Sequence, residues 1–384
     1  MRVFLVAGAR PNFMKVAPVL EALHARRGSF PELQPLLIHT GQHYDPQMSD
    51  DFFRDLGMPM PDIYLGAGSG SHAEQTARVM VAFEKVCVEH KPVLALVFGD
   101  VNSTLACAIS AKKLAIPVAH VEAGLRSRDM SMPEEINRLC TDVISDFLFT
   151  TDQLAGANLI AEGCAPERIH FVGNTMIDSL TKHLGRALAA PLPYGLEAGS
   201  YALLTLHRPS NVDEPVALQG LFDAINAIAD YIPVIFPAHP RTAQRMWAIQ
   251  LHDGVRVIEP LAYLSFLGLM ARARMVLTDS GGIQEETTVL HVPCLTLRRN
   301  TERPITCEQG TNFVVGTDPR EILQSALHVL NAPPPKNLIP DKWDGHAGER
   351  IADILVEWLS PNRITAVIGT AATSGAGPAK NTAE

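Results

Sequence analysis

Residues 2–8 read RVFLVAG, a continuous apolar run that is rich in branched side chains and stops at Gly8. Such a run is typical of a strand that is buried on both faces of a parallel sheet. Strand-like runs that each precede a helix-like stretch recur at LQPLLIHT (33–40), VLALVFGD (93–100), PVAHVEAG (117–124) and DFLFT (146–150). This alternation predicts an α/β fold with a parallel sheet.

A second series of strand-like runs follows a turn-rich stretch at about residues 185–200, and it contains YALLTLHR (201–208), PVIFPAHP (233–240), VRVIEP (255–260) and MVLTDSGG (275–282). We therefore predict two Rossmann-like, doubly wound domains that face a cleft, with ligands beyond the carboxyl ends of the strands. The N-terminal domain is expected at residues 1–175, joined by a C-terminal helix at about 348–360. The C-terminal domain is expected at 176–345, and residues 364–384 are expected to form a disordered tail.

Composition limits the class of protein. The 384 residues are 47% apolar and 19% charged, which excludes disordered, collagen-like and coiled-coil chains. The net charge of -9 has the wrong sign for a protein held by nucleic-acid phosphates. No apolar run suits a membrane span or a signal peptide, so we expect a cytoplasmic protein. Six cysteines without disulfide or zinc-site spacing are expected to be buried free thiols, with no metal.

The most informative local pattern is TDSGGIQEE (278–286), which follows a strand-like run and opens a helix. Ser280 can cap this helix, while Gly281 and Gly282 let a phosphate approach the free backbone N–H groups at its positive end. Glu286 lies one turn further along what is expected to be a surface helix, where its carboxylate could accept hydrogen bonds from ribose hydroxyls. The alternative is an ordinary capped helix without a ligand.

The first strand-to-helix turn, GARPNFMK (8–15), lacks the G-x-G-x-x-G pattern of dinucleotide sites, which disfavours NAD. Arg10 and Lys15 in this turn could meet an anionic sugar or phosphate. Taken alone, such residues are more often solvated surface charges.

Carboxylates follow two of the buried strands. Asp100 ends VLALVFGD and Glu122 lies in PVAHVEAG, so both are expected at the rim of the sheet, where desolvation raises the pKa of a carboxyl group and makes it a better base. Their alternative role is to cap loops. In PEEINR (133–138), Glu134 and Arg138 are spaced as an i, i+4 pair on a helix, which is often an exposed pair without function.

Imidazoles occupy two strand ends of the second series. His207 and Arg208 end one run and His239 ends another. Protonated imidazoles beside a phosphate site would stabilise a departing diphosphate, although a lone histidine is more often structural. The role of His43, in TGQHYDPQM, stays open between loop and site.

These motifs together resemble the non-hydrolysing UDP-N-acetylglucosamine 2-epimerase family over about residues 1–360. The matching segments, in family order, are GARPNFMK, FGDVNSTLA, HVEAGLRS, PEEINR, GNTMIDSL, LHR, TDSGGIQEE and TERPI. The resemblance implies the two-domain glycosyltransferase-B architecture, a ligand in the interdomain cleft and a homodimer.

The resemblance also implies roles for individual residues. UDP would be held by Ser280, Gly281, Gly282, Glu286 and Arg303, with Phe266 beside the uracil. The residues around the diphosphate and sugar would be Arg10, Lys15, Asp100, Glu122, Glu134, Arg138 and His207. UDP would be eliminated to leave a 2-acetamidoglucal and would re-add after C2 is reprotonated on the other face, with no cofactor and no metal.

The expected function is therefore that of an isomerase acting on UDP-N-acetylglucosamine, which supplies a mannosamine donor for cell-surface polysaccharide. One alternative is a 2-epimerase for UDP-2,3-diacetamido-2,3-dideoxyglucuronate, and another is a glycosyltransferase of the same architecture. A sensor of sugar nucleotides would not need several carboxylates. Departures from the best-known bacterial members, such as GAGSGSHAEQT (66–76) and LHRPSNVDE (206–214), leave the substituents at C3 and C6 and activation by a second UDP-sugar open.

Overall fold

The structure is a computed structural model that describes residues 1–8, 10–41, 53, 55–247, 249–332 and 339–360. Two parallel sheets with flanking helices make up this part of the chain, as the sequence predicts. The first sheet has the order β3-β2-β1-β4-β5-β6-β7. Its strands are β1 Arg2–Ala7, β2 Gln34–His39, β3 Ile63–Tyr64, β4 Leu94–Phe98, β5 Val118–Ala123, β6 Phe147–Thr150 and β7 Ile169–Phe171.

The second sheet has the order β10-β9-β8-β11-β12-β13. Its strands are β8 Ala202–Thr205, β9 Val234–Pro237, β10 Val255–Ile258, β11 Met275–Thr278, β12 Cys294–Thr296 and β13 Asn312–Val314. In both sheets the central strands are buried along their length, except for the half-buried Thr205 at the end of β8, which explains why their sequences are continuous apolar runs rather than alternating ones.

Helices cover the faces of the sheets. Those of the first part of the chain are α1 Arg10–Arg26, α2 His72–His90, α3 Asn102–Lys113, α4 Pro133–Ile144, α5 Gln153–Ala161 and α6 Thr175–Ala189. Those of the second part are α7 Pro209–Val212, α8 Pro215–Ala229, α9 Pro240–Arg245, α10 Tyr263–Met270, α11 Gly281–Val289, α12 Ile305–Glu308, α13 Pro319–Asn331 and α14 Ala347–Leu359.

The last helix, α14, returns to the first sheet and packs on α1 and α6. Asp178 of α6 caps its start by accepting hydrogen bonds from the backbone N–H groups of Gly348 (2.7 Å) and Ala347 (3.1 Å). Gly348 lies so close to α1 that a Cβ atom there would be 2.7 Å from the carbonyl carbon of Pro18. We keep residues 1–175 with this helix, and residues 176–345, as the proposed domains.

The two sheets share one hydrophobic core cluster, which joins Leu5 and Phe98 of the first sheet to Leu203 and Val276 of the second. Within the described residues, no helix is both long and apolar enough to cross a membrane. The cysteines are free, but Cys140 and Cys307 are exposed, so the expectation that all six are buried is wrong. The predicted tail at 364–384 lies outside the described residues.

Candidate active site

A cavity of about 380 Å³ opens between the carboxyl ends of the two sheets. The first part of the chain lines it with Met14, Lys15, Asp100, Glu134 and Met176, and the second part with His207, Arg208, Leu261, Tyr263, Phe266, Ser280, Gly281, Gly282, Ile283, Glu286 and Arg303. Most of the predicted site residues therefore meet here. The exceptions are Glu122 and Arg138, which lie buried away from the cavity lining, His239, which lies elsewhere, and Arg10, whose side chain lies outside the described residues.

The N-terminus of α11 points its free backbone N–H groups at the cavity. Ser280 is the N-cap residue, but its side chain makes no capping hydrogen bond, so the predicted capping role of that hydroxyl is wrong. Its backbone N–H instead donates to Thr278 Oγ1 at 3.0 Å. The Arg303 guanidinium lies so close to Gly281 that a Cβ atom there would be 2.3 Å from its Nη1 atom. Because Gly281 has no Cβ atom, the N-terminus of α11, which can bind an anion, lies directly beside the Arg303 guanidinium.

Glu286 is buried, with 4% of its surface exposed, so the expectation of a surface helix is wrong at this position. Burial, aided by the neighbouring Glu285 carboxylate, raises the pKa of Glu286 from 4.5 to about 8. Within the described residues its Oε1 atom has no hydrogen-bond partner. A buried polar atom of this kind that faces a cavity is a natural contact for a polar ligand.

Glu122 lies at a bulge of β5, where its backbone takes the left-handed conformation with φ at 73°. This bend directs a carboxylate that is 2% exposed into a cluster of three cations. Its Oε2 atom lies 2.5 Å from Lys15 Nζ, and its Oε1 atom lies 3.1 Å from Arg138 Nη2 and 3.2 Å from Arg303 Nη2. Arg303 reaches it from the other side of the cavity.

The charge of Glu122 follows from these partners. Burial alone would raise the pKa of Glu122, but ion pairs with Lys15, Arg303 and Arg138 outweigh burial and lower the pKa from 4.5 to about 2. The expectation that desolvation raises its pKa and makes Glu122 a better base is therefore wrong. Glu122 is a permanently ionised counter-ion at neutral pH.

Asp100 and Glu134 are the carboxylates that the first part of the chain contributes to the cavity lining. The Asp100 side chain is 24% exposed, and its Oδ2 atom lies 2.6 Å from Arg138 Nη2. Glu134 is exposed in the first turn of α4. The ion pairs of Arg138 are with Asp100 and Glu122, so the i, i+4 pair with Glu134 that the spacing predicts is not formed in the described structure.

His207 is oriented by a buried aspartate, Asp279. The Nδ1 atom of His207 lies 2.8 Å from Asp279 Oδ1, and the backbone N–H groups of His207 and Arg208 donate to the same carboxylate. Burial acts to raise the pKa of Asp279, but these hydrogen bonds outweigh burial and lower it. Because an ionised Asp279 accepts a hydrogen bond from Nδ1–H, the other ring nitrogen, Nε2, is left for a ligand.

Two of the predicted imidazoles are not part of this arrangement. His239 follows β9 as expected, but it is exposed and is not among the residues that line the cavity, so His207 is the predicted imidazole that the structure places there. His43 lies outside the described residues. Arg208 does line the cavity, where its Nη2 atom lies 3.3 Å from Glu302 Oε1.

Several site residues were missed by sequence reasoning. Asp279 stands inside TDSGGIQEE, directly after the strand, and its position at a strand end was a usable signal. Glu285 lies next to Glu286 and pairs with Arg303 Nε at 2.9 Å. Tyr263 and Met176 also line the cavity. Met176 lies in GNTMIDSL (173–180), one of the segments that carry the family resemblance, so a signal was present there, whereas Tyr263 lies in no matched segment.

Comparisons with known proteins agree with this fold and cavity. The family model described as UDP-N-acetylglucosamine 2-epimerase matches residues 26–356. The UDP-N-acetylglucosamine 2-epimerase of Methanocaldococcus jannaschii is 41% identical over 368 residues, which cover 92% of this chain and 99% of that protein. The UDP-2,3-diacetamido-2,3-dideoxy-D-glucuronate 2-epimerase of Pseudomonas aeruginosa is 40% identical over 366 residues, which cover 94% and 99%.

A solved structure extends the comparison to three dimensions. The crystal structure of the M. jannaschii enzyme in complex with UDP-GlcNAc and UDP matches with a TM-score of 0.85 and 40% identity, over 93% of this chain and 100% of that chain. The two parallel sheets with a cavity between them define a protein of the glycosyltransferase-B architecture. The chain belongs to the UDP-N-acetylglucosamine 2-epimerase family.

The Glu122 cluster predicts how stability responds to a neutral substitution. Glu122→Gln leaves Lys15 without an ion pair among the described residues and removes one carboxylate partner each from Arg138 and Arg303. We therefore expect the free energy of unfolding at pH 7 to fall by about 3 kcal/mol. Because the pKa of Glu122 is lowered in the folded state, its contribution is present above pH 4.5 and is lost as pH falls towards 2. Urea denaturation from pH 7 to pH 3 measures both effects.

The exposed Glu134 provides the matched control, since Glu134→Gln removes a carboxylate without leaving buried charge. We expect its free energy of unfolding to stay within about 0.5 kcal/mol of the parent. A Glu122→Gln variant as stable as this control at pH 7 would contradict the assignment of Glu122 as the counter-ion.

Proposed function

We propose that this protein is a non-hydrolysing UDP-N-acetylglucosamine 2-epimerase, which interconverts UDP-GlcNAc and UDP-ManNAc and supplies a mannosamine donor for cell-surface polysaccharide. The proposal depends on one observation above all. A single cavity has the anion-binding end of α11 with Arg303 on one side, and the carboxylates Asp100 and Glu134 on the other. A reaction that expels a diphosphate and moves a carbon-bound proton needs these two sets of groups together.

The UDP moiety is assigned to the second side of the cavity. The backbone N–H groups that follow Ser280, at Gly281 and Gly282, would bind the diphosphate with Arg303. Glu286 would accept hydrogen bonds from the ribose hydroxyls through its unpartnered oxygen. Phe266 supplies an aromatic face for the uracil.

The chemistry is a reversible elimination. A base removes the proton from C2 of the sugar while the C1–O bond breaks, so that the C–H electron pair forms the C1=C2 double bond and UDP leaves with the C1–O pair. The 2-acetamidoglucal then takes back a proton at C2 on the opposite face, and UDP adds again at C1. No adjacent carbonyl acidifies C2, so placed bases and stabilisation of the leaving group supply the rate.

The carboxylates divide this work according to their surroundings. Asp100 and Glu134 line the cavity, so we assign the transfer of the C2 proton to this pair. Glu122 does not line the cavity and is held ionised by three cations, so we assign it the task of placing Lys15 and Arg138. Lys15 then meets the substrate with its ammonium group already oriented.

Residues from the second part of the chain are proposed to stabilise the leaving group. His207 presents Nε2 to the cavity because Asp279 binds Nδ1. From there it would donate to a phosphate oxygen as negative charge develops on the departing UDP. Arg208 lies beside it and extends the positive face of the site. Arg10 remains a proposed contact of the diphosphate, while His239 is not retained in the proposed site.

The sugar is proposed to be neutral. Among the described lining residues, Lys15, Arg208 and Arg303 each face a carboxylate of the protein. After the diphosphate is bound, this set offers no further cation for a sugar carboxylate, which favours N-acetylglucosamine over a diacetamido-glucuronate. The P. aeruginosa relative keeps the glucuronate as the second candidate.

Homodimer formation and a cytoplasmic location complete the proposal. Exposed apolar side chains occur on two helices that flank α3, namely Val81 and Val88 on α2 and Ile136 and Val143 on α4. Exposed apolar side chains of this kind suit contact with a second copy of the chain. Sedimentation equilibrium would report a monomer if these side chains have another role.

Incubation of the protein with UDP-GlcNAc in deuterated water tests the function. We expect deuterium at C2 of the recovered sugar nucleotide and the anomeric proton signal of UDP-ManNAc, without any acceptor. Parallel incubation with UDP-2,3-diacetamido-2,3-dideoxyglucuronate distinguishes the two epimerases. Reaction of the acid sugar alone would reject the proposed substrate, and no exchange with either sugar would reject epimerisation.

Asp100→Asn tests the assignment of the base. The change preserves size and hydrogen-bonding capacity but removes the proton acceptor, so we expect C2 exchange to fall by at least about 10²-fold, while UDP binding persists in a calorimetric titration. Asp353→Asn, an exposed carboxylate beside Arg26 and outside the cavity, should exchange like the parent. Normal exchange in Asp100→Asn would move the base to Glu134, where Glu134→Gln is the corresponding test.

The raised pKa of Glu286 predicts that nucleotide binding releases a proton. With a pKa of about 8, Glu286 is mostly uncharged in the empty site at pH 7. Ribose hydroxyls that donate to a carboxylate favour its ionised form, so UDP binding should release up to about one proton from this residue. The affinity for UDP should therefore rise from pH 6 to pH 8.

Calorimetric titrations at pH 7 in buffers of different ionisation enthalpy measure this release. Glu286→Gln serves as the reference, because it keeps the side-chain shape but has no proton to lose. Equal proton release by the parent and by Glu286→Gln would contradict the ribose contact.

A further inference from the structure

His120 is a fully buried imidazole for which the proposed mechanism has found no use. It lies on β5 at 0% exposure, two residues before Glu122, and it does not line the cavity. Buried positions on a central strand are usually apolar, so a histidine there is expected to have hydrogen-bond partners for its ring nitrogens.

Both ring nitrogens of His120 face acceptors. Nε2 lies 2.8 Å from the carbonyl oxygen of Gly99, which has no proton to give, so Nε2 donates. Nδ1 lies 2.6 Å from Asp142 Oδ1. The other oxygen of Asp142 accepts from Arg126 Nη2 at 2.7 Å and from the backbone N–H of Gly124 at 3.1 Å.

The protonation of the ring follows from the state of Asp142. The Arg126 guanidinium and the backbone N–H of Gly124 both bind the other oxygen of Asp142, so Asp142 is held as a carboxylate. An ionised Asp142 only accepts hydrogen bonds, so Nδ1 must donate as well. The hydrogen-bond network therefore assigns a proton to each nitrogen, which makes His120 a buried imidazolium.

The carbonyl that His120 binds belongs to the turn that carries Asp100. Gly99 takes a left-handed backbone conformation, with φ at 66°, and its N–H donates to the carbonyl of Val121 at 3.0 Å. The carbonyl of Asp100 in turn accepts from Asn137 Nδ2 at 2.9 Å. Three hydrogen bonds thus fix this two-residue turn, and the one from His120 comes from the sheet beneath it.

The second contact of His120 fixes helix α4. Glu134, Arg138 and Asp142 follow one another at intervals of four residues, so they share one face of this helix. Asp142 ties the far end of the face to the sheet through His120, while Arg138 binds Asp100 and Glu134 reaches the cavity. His120 therefore contacts both the turn that carries Asp100 and the helix that carries Glu134.

We propose that His120 is a positioning residue of the epimerase, a doubly protonated imidazole that holds the Gly99 carbonyl through Nε2 and Asp142 through Nδ1, and so places Asp100 against C2 of the sugar. This inference rests on the proposed function. It assigns His120 no contact with the substrate, and its effect should appear in the proton-transfer step and not in nucleotide binding.

Two amide substitutions separate the two contacts. The amide nitrogen of Gln falls near the position of Nε2, so His120→Gln keeps the donor to Gly99 and loses the donor to Asp142. The amide nitrogen of Asn falls near Nδ1, so His120→Asn keeps the donor to Asp142 and loses the donor to Gly99. The pair therefore isolates the contact that supports Asp100.

The readouts are C2 deuterium exchange, UDP affinity and thermal unfolding. We expect His120→Asn to lose about 10²-fold in exchange, the scale of a displacement of about 1 Å in a catalytic group, and His120→Gln to keep most of it, with UDP affinity unchanged in both. If exchange falls equally in both variants and follows their loss of thermal stability, His120 is merely structural and the proposal is overturned.

Neutron diffraction from the deuterated parent protein reads the protonation without any variant, so the proposal stays testable if the variants do not fold. We expect deuterons on both Nδ1 and Nε2 of His120, and a single deuteron would overturn the proposal. Absence of C2 exchange in the parent protein would instead reject the proposed function, so the two failures are distinguishable.

Discussion

The cavity depends on a single buried carboxylate, that of Glu122, which is shared by Lys15, Arg138 and Arg303. Each of these charges would be costly to bury alone. Loss of Glu122 would leave Lys15 without an ion pair among the described residues, while Arg138 keeps Asp100 and Arg303 keeps Glu285. Lys15 and Arg138 belong to the elements around the first sheet, whereas Arg303 comes from the second part of the chain. The cluster therefore holds the two sides of the cavity at a defined spacing as well as neutralising their charge.

This constraint supports the proposed division of the chemistry. Because Glu122 is paired with three cations, we assign proton transfer to Asp100 and Glu134, which face the cavity. Because Arg303 is shared between Glu122 and the end of α11, the place proposed for the diphosphate is electrostatically linked to the place proposed for the sugar. His120, on the neighbouring strand β5, binds the carbonyl oxygen of Gly99 in the turn that carries Asp100.

The sequence predicted what local patterns control. Buried parallel strands read as apolar runs, and their carboxyl ends meet at one edge, which is why Asp100, His207 and Ser280 were placed together correctly. The sequence could not predict properties that depend on residues far away in the chain, such as a pKa or the burial of a side chain. Burial acts to raise the pKa of Glu122, and Lys15, Arg303 and Arg138 lower it, of which Arg303 lies 181 residues away in the chain. The burial of Glu286 arises from tertiary packing around its helix.

A double-mutant cycle between Glu122 and Arg303 tests the central claim most directly. Urea denaturation of the parent, Glu122→Gln, Arg303→Gln and the double variant at pH 7 gives the coupling free energy between the two side chains. If the ion pair joins the two sides of the cavity, the double variant should lose about 2 kcal/mol less free energy of unfolding than the sum of the losses in the two single variants. Losses that add within about 0.5 kcal/mol would contradict the account, because residues that do not interact behave in that way.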